Sequence, residues 1–349
     1  MRHFLALMTA LALLLFESGC GAPAPAKVSQ KISAGLLVWP KPPAEPRIRY
    51  LRSLSGPQDW GITKSFFRRM MDALAGKGQE HFVRPTGVAE RDGVLYVADP
   101  GAQTLWILDA AQNRLVKVVE AGKAALVSPV AVALHPDGAV FVADTSLSKV
   151  FLLDRAGKLM RIAAQDGSER PAGLAYDPGT QRLYVADSAK HQIAVYGPNG
   201  YLVRTWGRRG MQDGEFNHPT HIALDQTGTL LVTDALNFRI QAFDQEGRFL
   251  WKLGRHGDGS GDFAAPKGLA ADSAGHVYVV DALFDTAQIF DRDGTFLLAF
   301  GERGTQAGQF WLPGGLFINA QDKIYVADAY NQRVQVFLSG PGARKKTNQ

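Results

Sequence analysis

Tyr96-Val97-Ala98-Asp99 is the first of six related tetrads; it returns as Phe141-Val142-Ala143-Asp144, Tyr184-Val185-Ala186-Asp187, Leu231-Val232-Thr233-Asp234, Tyr278-Val279-Val280-Asp281 and Tyr325-Val326-Ala327-Asp328. Successive aspartates stand 45, 43, 47, 47 and 47 residues apart. A second landmark keeps the same beat, because Pro85, Pro129, Pro171, Pro219, Pro266 and Pro313 each precede their Asp by 14 to 16 residues. Two markers in phase at a near-constant period define a repeat protein.

Within one unit the Pro opens an apolar run, Gly268-Leu269-Ala270-Ala271, which ends in the turn cluster Asp272-Ser273-Ala274-Gly275. A strand closing on the landmark Asp follows (277–281), then a short loop, a third strand (287–291), an Asp-Arg-Asp-Gly turn and a fourth strand (296–300). Apolar runs punctuated by Asp, Gly and Ser read as antiparallel strands joined by hairpins. One such sheet cannot bury both its faces, and a period of roughly 40 to 50 residues with four strands is that of propeller blades. The expected fold is all-β, a six-bladed β-propeller of four-stranded antiparallel blades. The sixth unit has three strands before Ser339-Gly340-Pro341-Gly342 ends the pattern. The strand-like segment 47–54, Arg-Ile-Arg-Tyr-Leu-Arg-Ser-Leu, lies upstream of the first Pro and is expected to complete blade six, since an open ring would leave unpaired sheet edges. The propeller is thus placed at 47–340, with 341–349 a disordered tail.

The units Phe216-Asn217-His218-Pro219 to Val232-Thr233-Asp234, Asn237-Phe238-Arg239-Ile240 and Gly247-Arg248-Phe249-Leu250 resemble the NHL family of six-bladed propellers. Repeats one and two depart from it, with Gln103 to Leu105 and Leu147 to Val150 where the Asn-x-Arg-Ile block belongs. The resemblance implies the fold strongly and the activity weakly: NHL-like propellers include binding scaffolds, substrate-recognition domains of ubiquitin ligases and a few lyases. The related amidating lyases hold zinc through three channel histidines with Tyr and Arg nearby.

The N-terminus joins a basic head, Met1-Arg2-His3, to an apolar stretch from Phe4 to Phe16 and the small residues Ser18-Gly19 before Cys20. This is the form of a secretory signal (1–19), too short for a permanent membrane span. The residues ahead of Cys20, the single cysteine of the chain, resemble a bacterial lipobox in which that cysteine is lipidated, although Glu17 stands where such a box carries Leu. Gly21 is not the Asp that retains lipoproteins at the inner membrane, which favours the outer one. Residues 20–46 carry six prolines among Ala, Lys and Ser and read as an extended tether, whose apolar island Leu36-Leu37-Val38-Trp39 is expected to dock on the propeller. The net charge of +5, from 38 basic and 33 acidic residues, is a solvated surface and not a nucleic-acid footprint.

Chemistry is sparse. The landmark aspartates are read as structural acceptors for backbone N–H groups, and the Asp-x-x-Gly turns at 154–157, 244–247 and 291–294 as hairpin chemistry. No Gly-x-Ser-x-Gly elbow and no Cys-x-x-Cys-His occurs, so neither an acyl-transfer nucleophile nor covalent haem is indicated, and no cofactor is expected. Two residues beyond each Pro stand Gly87, Ala131, Gly173, His221, Gly268 and Gly315; one residue before it stand Arg84, Ser128, Arg170, His218, Ala265 and Leu312. With Lys267 these predict a basic channel mouth made of Arg84, Arg170, His218, His221 and Lys267, fit for a small anionic ligand or a protein partner. His218, His221 and His256, with His191 in a neighbouring loop, are the candidates for a metal site. The segment 57–84 is far longer than the equivalent links after Gly207, Gly254 and Gly301. Phe66, Phe67, Met70, Met71 and Leu74 fall on one helical face there, so a short inserted helix is expected to pack on the ring through Phe66, Met70 and Leu74, to cover the channel mouth and to turn Arg68 and Arg69 outward. The leading expectation is a lipid-anchored, periplasmic binding or scaffold protein; the alternative is a metal-dependent lyase or hydrolase acting in the channel.

Overall fold

The computed structural model describes residues 37–340 apart from 64, 66–69, 72–73, 75, 77 and 165–167. The signal, Cys20 and the tail therefore lie outside the described residues. Blade 1 runs Gly87–Arg91, Val94–Asp99, Thr104–Asp109, Arg114–Val118, each strand pairing antiparallel with the next. Blades 2 to 5 repeat this order from Pro129, Pro171, Pro219 and Pro266. Blade 6 has Leu316–Ile318, Lys323–Asp328 and Arg333–Ser339, and takes its fourth strand, Ile48–Leu54, from the start of the fold. That strand pairs Ile48 with Ser339 and Leu54 with Val334, so the ring is closed by hydrogen bonds between the two ends of the chain.

The antiparallel order gives the ring two distinct ends. The innermost strands begin, and the second strands finish, at what we call the proline end; the first-to-second and third-to-fourth strand hairpins lie at the hairpin end. Side chains alternate between the two faces of each blade and interlock with the neighbouring blade. Phe82, Trp106 and Tyr325 fill the junction of blades 6 and 1, while Phe216, Phe243 and Tyr184 fill that of blades 3 and 4. Gly87, Gly173, Gly268 and Gly315 are small for a packing reason. A Cβ on them would lie 2.7, 2.5, 2.3 and 2.2 Å from backbone atoms of the adjoining innermost strand.

The landmark Asp is the stitch of every unit. All six are fully buried. Asp281 accepts N–H groups of Ala264 and Ala265 from the incoming link and of Leu283 and Phe284 from the following loop. Asp144 and Asp187 are satisfied in the same way. In blades 4 and 6 side chains replace the second set. Asn237, Arg239 and Gln241 converge on Asp234, and Asn331, Arg333 and Gln335 on Asp328, while each Arg also reaches three carbonyls of the preceding link.

Two expectations need correction. The propeller begins before residue 47: Val38–Trp39 adds a fifth strand to blade 6, pairing with Arg49 and Ile48, and Trp39 packs edge-on against Phe337 at 5.9 Å. The insertion after Leu54 does not cross the channel mouth in its described part. It descends the flank of blade 1, where Gly61 faces Ala110 and Thr63 exchanges two bonds with Asn113, both in a hairpin-end turn. Buried Trp60 draws it there, donating to Gly93 O at 3.0 Å. Met70, Met71 and Leu74 are helical, but Met70 and Leu74 are 41% and 76% exposed and do not pack on the ring as expected; Phe66, Arg68 and Arg69 lie outside the described residues.

Because Ile48–Leu54 supplies the closing hydrogen bonds and a face of blade 6, deleting residues 47–54 is expected to abolish the cooperative unfolding transition and to drive aggregation, as followed by thermal melting and light scattering. An unchanged melt would contradict closure.

Candidate functional site

A cavity of about 380 Å³ occupies the ring axis, walled by the innermost strands from Thr86 and Gly87 to Asp92 and Gln321. His221 is the one expected site residue that lines it. Protein encloses its ring, although channel solvent reaches it, and Nδ1 lies 3.1 Å from Thr220 Oγ1. Burial first, and the charge of Lys267 second, push its pKa down to about 3, so the imidazole is neutral at physiological pH.

Four of the five expected mouth residues gather at the proline end over blades 3 to 5. His218 adopts the left-handed backbone region, with φ of 62°, and its N–H donates to His191 Nδ1 at 3.0 Å. That bond makes His191 Nδ1 an acceptor, so in the neutral ring the proton sits on Nε2 and is offered as a donor. Burial lowers the pKa of His218, and the charges of Arg170 and Lys267 lower it further. Lys267 is half-buried, and this desolvation depresses its pKa against the opposing pull of Asp281. Asp281 cannot satisfy it, since both carboxylate oxygens already accept backbone N–H groups. Arg170 is exposed, its backbone N–H spent on Asp187. Arg84 sits at the same end but in blade 1, across the ring from blade 4, and is not part of this cluster.

The metal candidates do not converge. His256 packs at a tilt against Phe238 with ring centroids 4.3 Å apart, and among the described residues no three His, Cys, Asp or Glu side chains are placed to share a metal ion. Sequence reading missed the structural role of His191. It stands four residues after Asp187, as Asp285 stands four after Asp281, and Asp285 accepts the Leu312 N–H just as His191 accepts that of His218. Repeat alignment extended by these four positions exposes the equivalence. At the hairpin end, buried Glu90 is a further unforeseen polar centre, accepting from Tyr325 OH at 3.3 Å and from Asn319 Nδ2.

An NHL-repeat family model matches residues 310–337, the heart of blade 6. Among solved structures, virginiamycin B lyase from Staphylococcus aureus, in a catalytically inactive form with quinupristin, aligns at 13% identity and a TM-score of 0.56, over 73% of this chain and 94% of that one. An auxiliary nutrient binding protein from Bacteroides thetaiotaomicron aligns at 13% identity and a TM-score of 0.58, over 73% and 69%. A Bacteroides thetaiotaomicron protein of unknown function aligns at 15% identity and 0.59, over 75% and 71%. At such identities the likeness speaks for the fold.

The neutral His221 carries a pH signature. Its folded-state pKa lies below the ordinary value of 6.5, so between pH 6.5 and about 3 the unfolded chain binds a proton that the folded chain does not. The stability it contributes is whole above pH 6.5 and falls by at most about 1.4 kcal/mol per pH unit below it. His221→Gln is expected to flatten the fall in urea midpoint across that window relative to the wild type; parallel profiles would show that the ring is protonated in the fold.

Proposed function

We propose that this chain, an NHL-repeat six-bladed β-propeller, is a lipid-anchored binding or scaffold protein of the cell envelope, holding a protein partner or a small anionic ligand at its proline end. The observation that carries the reading is the group Arg170, Lys267, His191 and His218 beside the channel. Lys267 is a half-buried ammonium that makes no hydrogen bond or ion pair among the described residues, Arg170 is an exposed guanidinium and His191 presents an N–H. Donors without internal acceptors, two of them cationic, suit a carboxylate or phosphate oxygen. Neutral His218 and His221 add polarity without repelling such a ligand.

Envelope anchoring rests on the sequence: the basic head, the apolar stretch and the lone Cys20. An acyl chain contributes about 0.8 kcal/mol per buried CH₂, so two or more chains on Cys20 hold a protein stably at a membrane. The alternative, a metal-dependent lyase or hydrolase in the channel, lacks a convergent ligand set among the described residues.

Cys20→Ala is expected to move the protein from the membrane pellet to the soluble fraction or to leave it unprocessed. In the anchored protein, Arg170→Glu is expected to weaken capture of the native partner, seen by crosslinking in the intact envelope, without moving the melting midpoint, because this side chain is exposed and lies outside the core strands. Undiminished crosslinking would place the binding surface elsewhere.

A further inference from the structure

The described chain begins at Leu37, and its direction there is informative. Strand Ile48–Leu54 runs from the hairpin end to the proline end, with Leu54 paired to Val334 beside the proline-end loop. Val38 and Trp39 pair antiparallel with Arg49 and Ile48, and Tyr50 N donates to Leu37 O, so following the chain backwards leads towards the proline end. Both Leu37 and Trp39 lie against Gly308, in the proline-end link that also carries Trp311.

That end exposes large apolar side chains on three consecutive blades. Leu236, Leu283 and Tyr330 each stand two residues after the landmark Asp of blades 4, 5 and 6, and are 54%, 64% and 51% exposed. Gly101, Ser146 and Ala189 hold the same place in blades 1 to 3. Trp311 stacks on Tyr330 at 5.7 Å, and Met211 projects from the link into blade 4. The matching links of blades 1 and 2 expose Val83, Val119 and Val127, besides Met70, Met71 and Leu74 of the inserted segment. Between the tips stand Arg208, Arg255 and Arg303, whose side chains are about four-fifths exposed although each meets an acid on one side. Leucine and methionine tips, a Trp-Tyr pair and solvated guanidinium groups form the side-chain set that settles at the headgroup boundary of a bilayer.

We infer that the proline-end loops of blades 4 to 6 dock on the surface of the phospholipid bilayer that holds the anchor, with Trp311, Tyr330, Leu283 and Leu236 seated at headgroup depth. The inference rests on the anchoring reading of Cys20. Sixteen residues separate Cys20 from Leu37, and a chain of that length reaches at most about 55 Å. The tether therefore permits contact without enforcing it. It also makes docking intramolecular, so that an apolar patch too weak to recruit a free protein suffices. Seating blades 4 to 6 tilts the ring so that the Arg170, Lys267, His191 and His218 group is reached from the side of blade 3, where Arg170 is exposed.

Cys20 is the sole cysteine, so the chain from Cys20 onward can be coupled through it to a maleimide phospholipid in vesicles of phosphatidylethanolamine and phosphatidylglycerol, whatever becomes of it in the cell. With acyl chains brominated near the headgroup, quenching of tryptophan fluorescence is expected in the wild type and is expected to be lost in Trp311→Phe. Leu236→Glu with Leu283→Glu is expected to abolish quenching while Trp311 remains. Equal quenching in wild type and Trp311→Phe, or none in either, would overturn the docking. So would shielding of Trp311 that appears only when envelope proteins are added, since that outcome assigns the patch to a protein. A failure of native lipidation shows in cell fractionation of Cys20→Ala alone, and a failure of docking in the vesicles alone.

Discussion

Everything in this ring hangs on a carboxylate removed from water. Stripping an ionised Asp of solvent costs several kcal/mol unless its oxygens find strong donors. Each landmark Asp finds several, drawn from three places: the link entering its blade, the loop leaving its strand and, in blades 4 and 6, the side chains of the third strand. Only when those segments meet are the carboxylate and the loop N–H groups satisfied together. The interaction therefore fixes loop positions at the proline end and leaves the hairpin end to ordinary turn chemistry, such as Asp154 and Asp244 each taking two N–H groups of their own turns.

This constraint explains what could be read from the sequence. The Asp and Pro recur because both mark the proline end, and they located blades 1 and 2 even though the Asn-x-Arg block is missing there. The block is replaceable because its task is replaceable: Ser146 and Leu147 present backbone N–H groups where Asn237 and Arg239 present side chains. The closing strand was legible by counting, since a ring with one absent strand must find it elsewhere. The fifth strand at Val38–Trp39 was less so, because two residues carry no periodicity and their place depends on an aromatic pocket of Phe300 and Phe337 built by distant segments. The inserted segment misled for a similar reason. Its apolar spacing gave a helix but not a destination, which is decided by Trp60 and Asn113, a contact fifty residues long in its second half.

Of the site, repeat position puts Arg84, Arg170, His218, His221 and Lys267 towards one end of the ring and does not say which of them meet. Blade number decides that: residues of blades 3, 4 and 5 are neighbours, and one of blade 1 is not. Nor does sequence distinguish the imidazole buried on the channel wall from the one packed against Phe238, although the first is a neutral polar group facing a cavity and the second an aromatic packing element. Nor does sequence say why Gly87, Gly173, Gly268 and Gly315 hold the position that His221 takes in blade 4: adjoining backbones press too closely there for a side chain.

The account makes the proline end the working end, the one that meets a membrane or a partner, and leaves the hairpin end to solvent. Lysine footprinting compares the two directly, by acylating the protein in the intact envelope and again after purification. Lys252 and Lys267 mark the proline end over blades 4 and 5, Lys158 and Lys323 the hairpin end. The account predicts that Lys252 and Lys267 are protected in the envelope relative to the purified chain while Lys158 and Lys323 react equally in both; protection confined to Lys158 and Lys323 would contradict it.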